Sequence, residues 1–440
     1  MTTVTPHRLV HNARYLTWLI SDTAKGLASA LFGFAIPLIA LIVTNDPAQA
    51  GIISAVGMTI RTITTVFGGV LADRHHRIVM MIIGSAAGVV IAGAFTVLAL
   101  TDALTFATLL LIDIALAART GLFDIAGESA LKEIVPDDAM GRAQAANQGR
   151  DAVLQLAGGP LGGVLLAAGA WLIGAAMAVF HLIAMMTAWM LLRTAPRAAH
   201  HAAPEVGDAD AAASTGLVAA AVAVGKPNAL REVAEGFRWL FSRPDLRGVL
   251  FVATIVNLGF STALTTVIYA LQQAGHSTIT IGLLATAGGV AMLLGALVAP
   301  VLVSRMRASV VIIGGLAVAT VGVCGMIPAH EPWALMVMLG VTVFFIPAVN
   351  AALMGYFMVA TPTELLGRAN SASAVLGMGA MPLAPLIAGF GLAAIGRENT
   401  LIAASVLCAI SVVLAVANPG LRALPAESGW TAHARQFEVR

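Results

Sequence analysis

The chain has 440 residues, of which 59% are hydrophobic and only 10% are Asp, Glu, Lys or Arg. A water-soluble domain carries about 25% charge, so most of this chain's outer surface is expected to meet lipid, and a soluble enzyme or α/β protein is excluded. A formal net charge of +2 offers no reason to expect a nucleic-acid partner.

At the start of the chain, His7, Arg8, His11 and Arg14 precede an apolar stretch that runs to about Val43 without a small-residue cleavage site. That segment is expected to remain as a helix rather than act as a removable leader. A spanning helix needs roughly 20 mainly apolar residues. Apolar runs broken by charge, Pro, Gly or Asn predict spans at 17–43, 50–72, 78–101, 104–127, 147–169 and 171–192. A second set follows at 248–271, 279–303, 309–327, 333–358, 370–394 and 399–418. With the N-terminus inside, 19 of the 24 Lys and Arg residues fall in inner loops and one, Arg397, in an outer loop. Lys25, Arg61, Arg119 and Arg150 fall within or at the edge of spans. Such a bias sets orientation. It predicts an even number of helices, twelve, with both termini cytoplasmic.

Between the sixth and seventh spans lies an Ala-rich polar stretch, HHAAPEVGDADAAASTG, which reads as a flexible linker. The expected organisation is a first six-helix bundle over 1–193, a linker and amphipathic segment over 194–246, a second bundle over 247–418, and a cytoplasmic tail over 419–440. A weak repeat supports two related halves. PDDAMGRAQAAN at 136–147 echoes PTELLGRANSAS at 362–373 with an offset of 226. GIISAVG at 51–57 echoes GLLATAGG from Gly282 with an offset of 231. Two such halves are an arrangement that secondary transporters use repeatedly.

Ionisable residues are spread unevenly. The spans after Arg247 are nearly free of them, whereas the first half holds Asp22, Lys25, Arg61, Asp113, Arg119 and Asp124, with Glu128, Arg150 and Asp151 toward the cytoplasmic ends. A charge at mid-membrane costs around 2.5–3.5 kcal/mol on insertion scales, so these groups are expected to face a polar cavity or one another. Arg61 lies in the middle of the second span, and Asp113 on the fourth is its expected partner. The pair either orients helices or takes part in substrate or proton binding. Asp22 and Lys25, three apart, share a helix face. Asp124 and Glu128 form an i,i+4 pair of acids on the cytoplasmic side of Arg119. Carboxylates in such settings respond to burial and to nearby arginines, as proton coupling requires. In the second half, Asn257, Tyr269, Asn350 and Tyr356 are the candidate polar cavity residues. Cys324 and Cys408 read as buried hydrophobes. No Walker motif, dinucleotide fingerprint or metal-ligand spacing of histidines is present, so neither a cofactor nor a metal is expected.

After the second span the chain reads Gly69-Val70-Leu71-Ala72-Asp73-Arg74-His75-His76-Arg77. This resembles the signature loop of the major facilitator superfamily, and it stands in the expected place. The resemblance implies that fold, and a cytoplasmic gate formed by Gly69, Asp73, Arg74 and Arg77 with Glu128, Arg142, Arg150 and Asp151. Arg119 occupies the region of the superfamily's membrane arginine, although the usual RxxxG spacing is absent. Gly158-Gly159-Pro160-Leu161-Gly162-Gly163 resembles the antiporter signature, with Gly159, Pro160 and Gly163 serving close packing or a kink. The span-four exit, the run before span seven and GRAN at 367–370 are similar to the bacterial exporter branch for macrolides, tetracycline-type drugs and siderophores such as enterobactin.

These features lead us to expect a monomeric, multi-pass protein of the bacterial inner membrane. Its expected function is proton-coupled efflux of amphipathic small molecules or drugs by alternating access. The alternatives are a dedicated exporter or importer of one polar or anionic metabolite, such as a siderophore, and a non-transporting receptor or assembly factor on the same fold.

Overall fold

The computed structural model describes residues 12–194, 237–362, 365, 369, 373 and 379–436. Most of the expected linker lies outside the described residues, as do the side chains of Val70 and Asp73. Among the described residues the regular structure is entirely helical. The first half is built from α1 (Ala13–Thr44), α2 (Pro47–Arg74), α3 (Arg77–Leu100), α4 (Phe106–Ile134), α5 (Asp137–Ala168) and α6 (Ala170–Arg193). The second half comprises α7 (Pro244–Gln273), α8 (Thr278–Arg305), α9 (Ala308–Gly325), α10 (Pro332–Phe344), α11 (Ile346–Ala360) and α12 (Leu383–Ala417). Two short helices close the chain, α13 (Pro419–Arg422) and α14 (Trp430–Arg435).

Eleven helical stretches among the described residues are long and apolar enough to cross a membrane. The difference from twelve lies in α12. Gly396 adopts φ 79° and ψ 174° within it, a left-handed backbone that glycine tolerates without steric cost. A side chain on Gly391 would meet Thr400 at 2.7 Å, although nine residues of straight helix would separate them by about 13 Å. The chain therefore reverses at Gly396, and α12 holds two antiparallel arms, 383–395 and 397–417. Conversely, α10 and α11 form one pass, broken at Phe345 ahead of Pro347. The result is an all-α polytopic membrane fold of two bundles.

Successive passes alternate, which defines two faces. The terminal side carries Asn12, the 74–77, 134–137 and 305–308 turns and the tail; the far side carries the turns at 44–47, 100–106, 168–170, 273–278, 325–332 and 396. Short caps close the far-side turns. Asp46 accepts from Ala48 N at 2.8 Å ahead of Pro47, Thr105 and Thr108 form a reciprocal capping box, and Ser277 accepts from Thr280 N. Each of these satisfies amide groups that the first turn leaves open. Arg397, the one outer-loop base of the sequence, donates to the carbonyls of Met326, Ile327 and Ala329. A cation at the C-terminus of α9 complements the helix dipole, so its position has a structural cause.

The outer surface is apolar, as at Val90, Leu111, Leu297, Val321 and Val413, each at least 65% exposed. Trp171 and Trp333 lie exposed at the far side. On the terminal side the Arg193 guanidinium stacks 3.6 Å from the centre of the Trp189 ring. These are the amphipathic rings expected at membrane interfaces. The expected cytoplasmic tail is not a loose extension. Trp430, His433 and Ala434 are buried, and Ala308 N donates to Pro425 O at 3.0 Å.

Candidate functional site

The ionisable residues of the first half assemble into a line of alternating charge. Asp22 and Lys25, one turn apart on α1, pair at 2.8 Å. Lys25 Nζ also lies 3.8 Å from Asp124 on α4, and Asp124 accepts from Arg119 at 2.8 Å. At the other end, the second oxygen of Asp22 accepts from Arg150 on α5 at 2.8 Å, and Arg150 reaches Asp151 at the same distance. The order Arg119, Asp124, Lys25, Asp22, Arg150, Asp151 has three cations and three anions, so the line is neutral. Opposite charges side by side are what make such burial tolerable in a membrane.

Neighbouring helices are tied to this line. Arg119 Nε donates to Gly84 O on α3 at 3.0 Å, and its Nη1 lies 3.5 Å from His181 Nε2 on α6. Trp18 donates to Gly127 O at 2.8 Å and lies beneath Arg150, 5.7 Å from its ring centre. Gly127 lies close beneath this pair, since a first side-chain carbon there would come within 3.0 Å of Asp22 Oδ1 and Lys25 Nζ. His181, Trp18 and Gly127 did not stand out in the sequence, since a lone His on an apolar span carries no spacing signal.

Several expected partnerships change. Asp124 turns toward Arg119 and Lys25 rather than forming a local acid pair with Glu128. Glu128 is exposed and makes no ion pair among the described residues, although the charges of Lys25, Asp22, Asp124 and Asp151 lie around it. Of the expected gate residues, Arg150 and Asp151 stand in the charge line and Glu128 lies beside it. Arg77 braces α3 against α4 within one half, donating to Ser129 O and Glu133 at 3.1 Å. Arg74 and Arg142 are exposed and Gly69 is buried.

Arg61 and Asp113 do not pair. Both line a cavity of about 180 Å³ between α1, α2 and α4, with Phe32, Ser54, Met58 and Thr120 among its walls. Asp113 is only 4% exposed, and its Oδ2 has no hydrogen-bond partner. It packs over Gly57 so closely that any side chain at that position would collide with the carboxyl group. Arg61, one turn from Gly57 toward the terminal side, is exposed and makes no ion pair among the described residues. From the second half, buried Tyr269 reaches Ser54 with 3.3 Å between hydroxyls, so one edge of the cavity is held by both halves. Tyr356 lies elsewhere, packed against Trp430 and His433 under the tail. Asn257 and Asn350 are exposed and do not line this cavity.

Toward the far side the halves meet along two seams. In the first, α5 crosses α8. A side chain on Gly159 would meet Ala285 at 2.8 Å and Gly282 O at 2.9 Å, and one on Gly163 would meet Thr278 O at 2.5 Å. Thr278 Oγ1 donates to Gly163 O at 2.8 Å, and the backbone of Pro160 lies beside Gly282. In the second seam, α2 crosses the first arm of α12, with Gly51 against Pro385 and Gly389 against Pro47. The offset of 231 carries Pro47 and Gly51 onto Thr278 and Gly282, and the offset of 226 carries Gly159 and Gly163 onto Pro385 and Gly389. The two seams are therefore symmetry mates, and the repeat read from sequence is the repeat of the fold.

Two helical bundles joined by close small-residue crossings, with a largely apolar cavity in the first that carries Arg61 and Asp113, match the architecture that secondary transporters use. The chain matches the Major Facilitator Superfamily over residues 20–385 and 249–434, and it belongs to that family. No curated protein sequence matches it. Among solved structures it is similar to a bacterial homologue of the iron transporter ferroportin in an inward-facing state, with 13% identity, a TM-score of 0.65, and 93% of this chain and 99% of that one covered. A bacterial metal transporter aligns with 13% identity and a TM-score of 0.63 over 94% of this chain and 99% of its own. The nucleoside transporter NupG aligns with 13% identity and a TM-score of 0.60 over 92% and 99%. At such identity the likeness is one of fold. The fold is that of a transporter of small molecules across a membrane rather than of an enzyme.

Proposed function

We propose that this protein is a proton-coupled secondary transporter of the bacterial inner membrane, dedicated to one kind of small polar solute. The carrying observation is the cavity between α1, α2 and α4, where Arg61 and the buried acid Asp113 are present together without pairing. Their lack of pairing leaves both groups available to a ligand. We assign the terminal side to the cytoplasm from the Lys and Arg bias. The closed far-side seams then make this the inward-facing member of an alternating-access pair, and the outward-facing state requires the seams to part. Asp113 and Glu128, which make no ion pair among the described residues, are available for proton exchange, and Asp22 joins them when the cycle draws it away from Lys25 and Arg150.

Efflux of amphipathic drugs is the second reading, favoured by the apolar walls at Phe32, Ile36 and Met58. Size weighs against it. Sites for drug-sized ligands usually enclose about 300–1,000 Å³, and this cavity holds about 180 Å³. Of the similar structures one is a bacterial metal transporter and another a bacterial homologue of an iron transporter, yet the described residues of this chain contain no group of three His, Cys, Asp or Glu that could share an ion. An organic solute fits the cavity better than a metal ion.

Proteoliposomes loaded with a pH-sensitive dye test the reading. Adding solutes from a panel of small organic anions, cations and zwitterions should identify one class whose entry moves protons. Asp113→Asn and Asp22→Asn should each reduce that proton movement at least tenfold. Solute flux that persists unchanged when the pH gradient is collapsed would remove proton coupling. Wild-type behaviour in both variants would remove the acid assignments.

A further inference from the structure

Arg61 and Asp113 differ in how they meet the cavity, and that difference bears on the solute's charge. Asp113 sits at the level of Gly57, 4% exposed, with one carboxyl oxygen lacking any partner. Arg61 is rooted one helical turn, about 6 Å, further along the same face of α2. The cavity thus has a negative pole at its far-side end and a positive pole toward the terminal side, separated by about one turn of helix. Hydroxyls of Ser29, Ser54 and Thr120 lie between apolar patches from Phe32, Ile36 and Met58.

A ligand with a single charge pairs with one pole and leaves the other bare. A buried polar group deprived of a partner costs more than a formed hydrogen bond returns. An anion would leave buried Asp113 unpaired, and a cation would forgo the charge-assisted bond that exposed Arg61 offers. A solute with an ammonium and a carboxylate a few bonds apart meets both and adds no net charge to the membrane interior. Arginine suits the carboxylate end because its planar fork binds two oxygens at once. The apolar walls leave room for a short hydrocarbon side chain.

We propose, building on the transport reading above, that the solute is a small zwitterion of the amino-acid type. Its ammonium binds Asp113 and its carboxylate binds Arg61, with the side chain against Phe32, Ile36 and Met58. Gly57 is a specificity-determining position in this arrangement, because only a residue without a side chain lets the Asp113 carboxyl reach the cavity wall.

Binding in detergent tests this without any gradient, so failure of proton coupling leaves the result intact and failure of binding leaves the transport reading to its own assay. The probes are leucine, its amide leucinamide, which keeps only the cation, and N-acetylleucine, which keeps only the anion. Calorimetry on the full-length wild type should find leucine bound at least tenfold more tightly than either analogue. Arg61→Gln should erase the preference for leucine over leucinamide while keeping that over N-acetylleucine. Asp113→Asn should do the reverse. Equal binding of leucine and N-acetylleucine by the wild type, or no binding of any of the three, overturns the assignment and does not depend on how the variants fold.

Discussion

At the scale of single residues, the charge line behaves as one object whose members differ in burial. Asp22 has a side chain 7% exposed and forms ion pairs with both Lys25 and Arg150, whereas Asp151 at the end of the line is 55% exposed. Removing one partner from a buried pair leaves an uncompensated charge and costs about 3–5 kcal/mol. An exposed pair contributes about 0–1 kcal/mol. Asp22→Asn should therefore lower the unfolding temperature in detergent markedly, and Asp151→Asn should leave it nearly unchanged. Equal effects would mean that the line is not graded by burial. The pairing of Asp22 with Lys25 was legible in the sequence because residues three apart share a helix face. The bond from Arg119 to Asp124 was not, since five positions apart is off that face and the long guanidinium must bend back to make it. Its neighbour His181 is 62 positions away, a contact that arises only because α3 packs against both α4 and α6 and Arg119 reaches past Gly84 on α3. Arg61 and Asp113 were legible as members of one site but not as unpaired members. Side-chain direction depends on the wall around them, here on Gly57 beneath the carboxyl.

At the scale of helices, the far-side closure rests on backbone approaching backbone. Leu or Val in these crossings would hold the helices apart, which small residues avoid. Gly163→Val would drive a branched side chain into Thr278 O, already 2.5 Å from the position of a first carbon. Seam one should then fail to close. With Met58→Cys in the cavity as a reporter and the native cysteines removed, an impermeant thiol reagent should label the wild type from the terminal side alone. In the Gly163→Val background it should label from both sides, with transport reduced more than tenfold. Gly93→Ala on α3 is the control, because nothing lies within 4 Å of a side chain there. Labelling unchanged by Gly163→Val would show that this crossing is not part of the closure. Gly159, Pro160 and Gly163 were legible as packing residues from their motif. Their partners on α8 were hidden, because Gly282 was legible only as part of the repeat and Thr278 carried no signal until the helices are crossed. The reversal at Gly396 was anticipated by the break between spans ending at 394 and starting at 399.

At the scale of the whole molecule, near-twofold symmetry and uneven charge divide the work. The first half carries the ionisable groups, and the second half presents a nearly neutral partner that touches it along two equivalent seams. If the seams act as one gate, fixing either must hold the same state. Cysteines at Gly159 and Ala285 test seam one, since a first carbon at Gly159 would lie 2.8 Å from the Ala285 side chain. A disulfide needs about 3.5–4.5 Å between those carbons, so a small relaxation accommodates the bond. The offsets of 226 and 231 carry this pair onto Pro385 and Ser54, which makes Ser54→Cys with Pro385→Cys the matching test of seam two. In a background free of native cysteines, oxidation of either pair should stop transport, and reduction should restore it. In both oxidised proteins Met58→Asp, introduced beside Arg61, should remain reachable only from the terminal side when probed with a carboxyl-reactive reagent. Symmetry makes the sharper claim, because only a common gate predicts that one crosslink is sufficient and that the two give the same sidedness. Transport that survives oxidation of one pair and not the other would mean that the halves are hinged at a single seam, with the second seam only a packing contact.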